Sequence, residues 1–223
     1  MKKAITRSSR LGAKRHKRTF CPPVVNEAEL HEFLEPLVYP VVFLSFWDGP
    51  ARAVFGGANP GEGVPIGYSV FSQTKQFEEP RHSDFRMDCQ NGRRSLLEVL
   101  LSNIPDRGGS IGVWGRLRVR AILRQLAAVN PDMTSRVNEM VARLLDFSEP
   151  FRNGTTYVDK ALRGSRSPEE VVSAICPYTS GDGPAVAPQS RASHAIYWIC
   201  RVLQGIDDRA SERSGREEAA MNV

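Results

Sequence analysis

The side chains in this sequence that could do chemistry are scattered. Cys21, Cys89, Cys176 and Cys200 lie far apart, with no C-x-x-C pair and no histidine at ligand spacing. That pattern indicates neither a zinc site nor a disulfide framework, and reduced thiols, several of them buried, are expected. His16, His31, His82 and His194 also stand singly. His31 and His194 fall on helical patterns, where a satisfied or solvated imidazole is the common case. A serine hydrolase would want an elbow such as G-x-S-x-G, and the expectation is that this pattern is absent. Asp146 and Asp182 are isolated, the latter within Gly181-Asp182-Gly183, and read as turn or cap residues.

The Gly- and Pro-rich stretch Asp48–Gly63 has the look of a phosphate cradle. It lacks the Lys-Ser/Thr ending of a P-loop and no helix follows it, so its backbone donors would not converge on a phosphate. Its second half, Gly57–Gly63, superficially suggests an ADP-ribose-binding loop, against which the strand order argues. A strand-to-strand connection is expected instead. Arg116, Arg118, Arg120 and Arg124 decorate one predicted helix and could hold phosphate, although arginines on an outer helix face are more often solvated.

The elements that must position these residues follow from periodicity. Asn26 and Glu29 have capping-box spacing before Leu30, Phe33, Leu34 and Leu37, which recur as on an amphipathic helix. Val38–Trp47 is a β-branched and aromatic run that predicts a strand buried on both faces. Val64–Phe71 is the next strand, and a third runs through Lys75–Phe85, with turns between them that suggest antiparallel pairing. Leu96–Ile104 predicts a helix and Ser110–Trp114 a short strand, the arrangement of a crossover onto one sheet. Helices are then expected over Leu117–Val129 and Met133–Leu145, divided by Asn130-Pro131-Asp132. The chain beyond Asp146 reads as irregular, with a short helix over Pro168–Ile175, a Gly-, Ser- and Pro-rich stretch over 177–190, and a last helix over Arg191–Leu203.

Length and charge bound what this architecture serves. The chain has 223 residues, 41% of them hydrophobic and 25% charged, with a mean hydropathy of −0.33. Those values suit one substantial globular domain with appendages. Residues 1–22 read as a disordered basic arm, 23–205 as the domain, and 206–223 as a charged flexible tail. The net charge of +5 belongs to the arm: Lys2, Lys3, Arg7, Arg10, Lys14, Arg15, Lys17 and Arg18 stand there with no acid. The remaining chain is slightly acidic. A basic arm can attract nucleic acid or an anionic membrane surface, but a slightly acidic body gives no electrostatic case for a large phosphate-tracking groove. No apolar run reaches the roughly 18 residues of a transmembrane helix, and no signal-peptide core follows the basic residues. A cytoplasmic protein with no membrane partner is expected.

Two segments carry a family resemblance. Leu37-Val38-Tyr39-Pro40, leading into Val41-Val42-Phe43-Leu44-Ser45-Phe46-Trp47, and Val64-Pro65-Ile66-Gly67-Tyr68-Ser69 are similar to motifs of an uncharacterised bacterial domain-of-unknown-function family. That family is built on the fold of DEDD-type 3′–5′ exonucleases. Trp114–Val119 with Pro131-Asp132, the Gly164–Ser167 segment and Cys200 echo its later motifs, so the likeness spans about residues 26–204. The resemblance implies an α/β, ribonuclease H-like mixed sheet. Its first three strands would be antiparallel, its fourth parallel, and helices would flank it.

The resemblance also implies a cage of four carboxylates holding two divalent metals, and it places those acids at Ser45, Trp47, Val119 and Leu203. None is acidic. Asp48 is one residue from the strand position but on the opposite face without a register change. Asp207 and Asp208 would approach only if the last helix continued. The expectation is therefore an exonuclease-like domain without catalysis and without a resident metal, associating with DNA or RNA through its basic arm. The alternatives are a protein-interaction or regulatory module that binds no nucleic acid, and an active magnesium- or manganese-dependent exonuclease using displaced acids.

Overall fold

The computed structural model describes residues 23–49, 64–87, 92–152, 156–158, 162, 167–176 and 187–221. In chain order the elements are β1 (Val24–Val25), α1 (Glu27–Leu34), β2 (Val41–Gly49), β3 (Val64–Gln73), β4 (Arg81–Arg86), α2 (Gly92–Asn103) and β5 (Ser110–Val113). There follow α3 (Arg116–Ala128), a 3₁₀ turn (Pro131–Met133), α4 (Thr134–Ala142), β6 (Leu144–Asp146), α5 (Glu149–Arg152), β7 (Tyr157–Val158), α6 (Pro168–Ile175), a second 3₁₀ turn (Pro188–Ser190) and α7 (Arg191–Met221). The expected arm, most of the Gly- and Pro-rich connection, Cys21, Cys89, His16, Asp182 and the Gly164–Arg166 motif lie outside the described residues.

Local chemistry fixes the helix starts. Asn26 accepts the Glu29 N–H at 3.3 Å, and Glu29 accepts from the Asn26 side-chain amide at 2.9 Å. Glu29 thus reaches the asparagine side chain rather than its backbone, and its other oxygen accepts from the Thr156 hydroxyl at 2.8 Å. α6 carries a full capping box, with Ser167 and Glu170 each satisfying the other's backbone N–H and Pro168 at the first helical position.

Five strands form one mixed sheet in the order β4-β3-β2-β5-β6, and β1 pairs with β7 in a separate two-stranded ribbon. β2, β3 and β4 make an antiparallel meander. β5 joins β2 in parallel and β6 joins β5 in parallel. Alternation along β2 feeds two cores. Val42 and Leu44 face α2, α3 and α4, whereas Val41 and Phe43 face α1, α6 and α7. β2 is therefore buried on both sides through its first half, as its sequence predicts. Gly112 in β5 leaves room for the Phe43 and Phe147 rings, which a Cβ would meet at 2.9 and 2.8 Å.

Three expectations need correction. The predicted helix Met133–Leu145 ends at Ala142, and Leu144–Asp146 is a fifth sheet strand. Val137, Met140, Val141 and Leu144 keep a helical spacing, but hydrogen bonding to β5 wins over it, with the Ile111 N–H donating to Arg143 O at 2.9 Å. The last helix does not stop at Leu203 but runs to Met221, so the boundary drawn at 205 falls inside it. Its continuation is tied to α1, where Asp207 meets His31 at 3.2 Å and Arg213 meets Glu27 at 2.8 Å. The third strand is confined to Arg81–Arg86, because residues 74–80 form the hairpin connection. No helix among the described residues is long and apolar enough to cross a membrane.

Candidate functional site

The strand order reverses between β2 and β5, and in open α/β sheets ligands bind beyond the carboxyl ends of the strands at such a switch point. Here that place is bounded by the second half of β2, the first turn of α3 and the first turn of α7. It holds a crevice of about 100 Å³, lined among others by Ser45, Trp114, Arg118, Val119, Ala192 and Ile196. Beside it, a larger cavity of about 520 Å³ is lined by Trp47, Ile66, Asp84, Arg86, Glu169, Gln189 and Ala192.

Of the four positions that the resemblance marks, Ser45 and Val119 share the crevice and Trp47 borders the neighbouring cavity. Leu203 lies elsewhere, fully buried in the core that packs on α1. The α7 residues that do face Ser45 are Ala192 and Ile196, two to three turns nearer the helix start. Sequence periodicity could not select them, because several residues of that helix share the apolar face.

The crevice is neutral apart from one guanidinium. Ser45 Oγ is buried and has no hydrogen-bond partner among the described residues, and the same is true of the Trp47 indole N–H. The Trp47 ring lies over Gly67, whose missing Cβ would sit 2.6 Å from Trp47 Cε3. Next to Ser45 on the sheet, Ser69 accepts from the Ser193 hydroxyl at 2.8 Å and lies 3.2 Å from His82 Nε2.

The described aspartates that could have replaced the missing acids each have another partner. The strand pairing does shift between Trp47 and Asp48, but the Asp48 carboxylate pairs with Arg118. Asp208 accepts from Gln76 at 3.1 Å, while Asp207 is held by His31. Asp146 is 3% exposed and acts as a cap. Its oxygens accept from the backbone N–H groups of Gly115 and Arg116 at 2.8 Å and from the Ser148 hydroxyl at 2.7 Å. Burial works to raise its carboxyl, but the bonds from Arg116, Ser148 and Gly115 outweigh it and hold the group below the usual carboxylate range.

A pair of divalent ions needs several carboxylate oxygens at one point. Among the described residues no group of three or more His, Cys, Asp or Glu converges to hold a metal ion. The crevice itself offers a single hydroxyl, so its residues do not fit such a pair.

The remaining reactive groups have structural roles. The Trp198 indole N–H donates to His194 Nε2 at 3.0 Å, and burial followed by the neighbouring His82 pushes the His194 imidazole down, toward the neutral form that accepts this bond. Cys200 is buried, and burial pushes its thiol far up. The spelling G-x-S-x-G does occur, contrary to expectation, at Gly108-Gly109-Ser110-Ile111-Gly112. Ser110 nevertheless opens β5 rather than a strand-to-helix elbow. Its hydroxyl accepts from the Val38 N–H at 2.8 Å and donates to Pro36 O at 3.2 Å, so it serves as a backbone clip.

No curated protein and no solved structure matches this chain. A family model does, over residues 49–167. The match opens at the end of β2 and closes before α6, so Val119 falls inside it while Ser45, Trp47 and Leu203 lie outside. It covers more than half of the sequence, and the chain belongs to the family described as a domain of unknown function (DUF2779).

Proposed function

We propose that this chain is a degenerate 3′–5′ exonuclease-like domain on a ribonuclease H-like sheet, without metal-dependent cleavage, that works by associating with nucleic acid. The observation that carries the reading is the coincidence of a sheet with a carboxylate-poor crevice. The sheet has an antiparallel meander whose first strand is joined in parallel by β5 and then β6, the order used by ribonuclease H-like nucleases. At its switch point the crevice is lined by Ser45, Val119, Ala192 and Ile196, where a nuclease of this kind needs acids. The eight basic side chains of residues 1–18 supply a sequence-independent contact to phosphates.

The test uses the full chain with labelled single-stranded and duplex oligonucleotides, with magnesium, manganese or chelator present. The expected result is salt-sensitive binding, no shortening of the label under any condition, and loss of most binding when residues 1–18 are deleted. Manganese-dependent shortening that disappears in Asp48→Asn or Asp182→Asn would overturn the inactive reading. Absence of binding at low salt would overturn the nucleic-acid reading.

A further inference from the structure

Helix α3 carries a charge pattern that its own stability does not call for. Its 13 residues include Arg116, Arg118, Arg120 and Arg124 and no acid. The first three stand near the positive end of the helix dipole, where cations are disfavoured. That end is already satisfied by the Asp146 carboxylate on the Gly115 and Arg116 N–H groups, so the arginine side chains are not needed to cap it. Packing does not call for them either. Val119, Ile122, Leu123, Leu126 and Ala127 form the buried face, and all four arginines are exposed.

Two of the four have acidic neighbours: Arg116 lies 3.6 Å from Glu149, and Arg118 pairs with Asp48. Arg120 and Arg124 have no carboxylate partner among the described residues. Arg116, Arg120 and Arg124 are spaced four residues apart, so they form a row with a step of about 6 Å. Leu117, 77% exposed, lies beside the row, whereas Arg118 points to the other flank of the helix and lines the crevice. In a body that is slightly acidic outside the arm, this is a concentrated cationic face.

We infer that the exposed face of α3 is a contact surface for the phosphate backbone of a nucleic-acid strand, with Arg116, Arg120 and Arg124 following successive phosphates. This rests on the nucleic-acid reading above and places on the folded body a contact that reading gives only to the arm. The chemistry favours phosphate. All four cations are arginines, whose planar forks engage phosphate oxygens through two hydrogen bonds. A bilayer is disfavoured because the apolar face that a membrane-surface helix would insert is spent on the core.

The experiment measures binding of a fluorescent single-stranded oligonucleotide by anisotropy across a salt series, with the full chain, its Arg120→Gln/Arg124→Gln variant and the corresponding double lysine variant. The glutamine variant should bind more weakly at low salt, and its plot of log K against log salt should be shallower by about 0.7 for each arginine lost. The lysine variant should keep most of the slope. Thermal midpoints should agree, since both side chains are exposed and have no carboxylate partner among the described residues. Equal affinity and slope for wild type and glutamine variant would overturn the α3 surface while leaving the nucleic-acid reading intact. No oligonucleotide binding by any form would overturn both. Loss of binding to phosphatidylserine vesicles or polyglutamate, with oligonucleotide binding unchanged, would assign the face to another partner and overturn the proposal.

Discussion

The carboxylate of Asp146, at the end of β6, accepts the backbone N–H of Arg116 at 2.8 Å and so closes the first turn of a helix that begins 30 residues earlier. It ties the edge strand β6 to the start of α3, and thereby holds the arginine row and the crevice wall in place. Asp146→Ala leaves the Gly115, Arg116 and Ser148 donors without a buried acceptor, and should cost about 3 kcal/mol by denaturant titration. The dependence on pH follows from its depressed folded value. The stabilisation is complete above the ordinary carboxylate value of about 3.9 and is lost as pH falls from there through the folded value. Asp146→Asn should flatten that acid limb, and an unchanged limb would refute the assignment.

Ser45 presents a buried hydroxyl with no partner among the described residues, in an apolar crevice. Ser45→Ala should be neutral or stabilising by up to about 1 kcal/mol, because it removes an unsatisfied polar group. Ser45→Asp should destabilise by about 3 kcal/mol, and magnesium or manganese should not recover the loss. Recovery by either ion in a thermal melt would mean that other acids reach the crevice.

Gly67 sits where β3 passes under Trp47. A Cβ there would lie 2.5 Å from Phe85 O and 2.6 Å from the Trp47 ring. Gly67→Ala should cost about 2–3 kcal/mol and alter tryptophan fluorescence. Adding Trp47→Ala should not restore stability, since the Phe85 carbonyl is backbone and remains in the way.

The β3–β4 hairpin is clamped to α7 by an aromatic enclosure around Arg201, whose guanidinium carbon lies 5.4 Å from the ring centres of both Phe77 and Trp198. Phe77 adopts a left-handed backbone, with φ of 60°, which costs about 1–2 kcal/mol for a non-glycine residue. Arg201→Ala should destabilise by about 1–2 kcal/mol. Phe77→Ala should destabilise similarly, because it loses the ring and keeps the strain, whereas Phe77→Gly should sit near wild type. Equal losses for Ala and Gly would show that the backbone strain carries no weight.

Some of this was legible locally. Asn26 with Glu29, Ser167 ahead of Pro168, and Pro131 after α3 act on backbone groups within a turn of themselves, so their spacing alone predicts where helices start or stop. The β-branched run of β2 announces a strand buried on both faces for the same reason, since each residue's type reflects the layer that it meets. The isolated Asp146 reads correctly as a cap, although nothing nearby says which helix it caps.

What the chain order alone determined, then, is the set of short-range elements, the concentration of positive charge in the arm, and the row of arginines on α3. Tertiary structure decided the rest. Leu144–Asp146 became a strand because β5 offered hydrogen bonds that a helical spacing could not reveal, and α7 continued past Gly205 alongside α1, which supplies His31 and Glu27. The same holds for the crevice: Ser45, Val119 and Ala192 meet only when β2, α3 and α7 pack together, and the free energy that selects those neighbours comes from burying surfaces far apart in sequence.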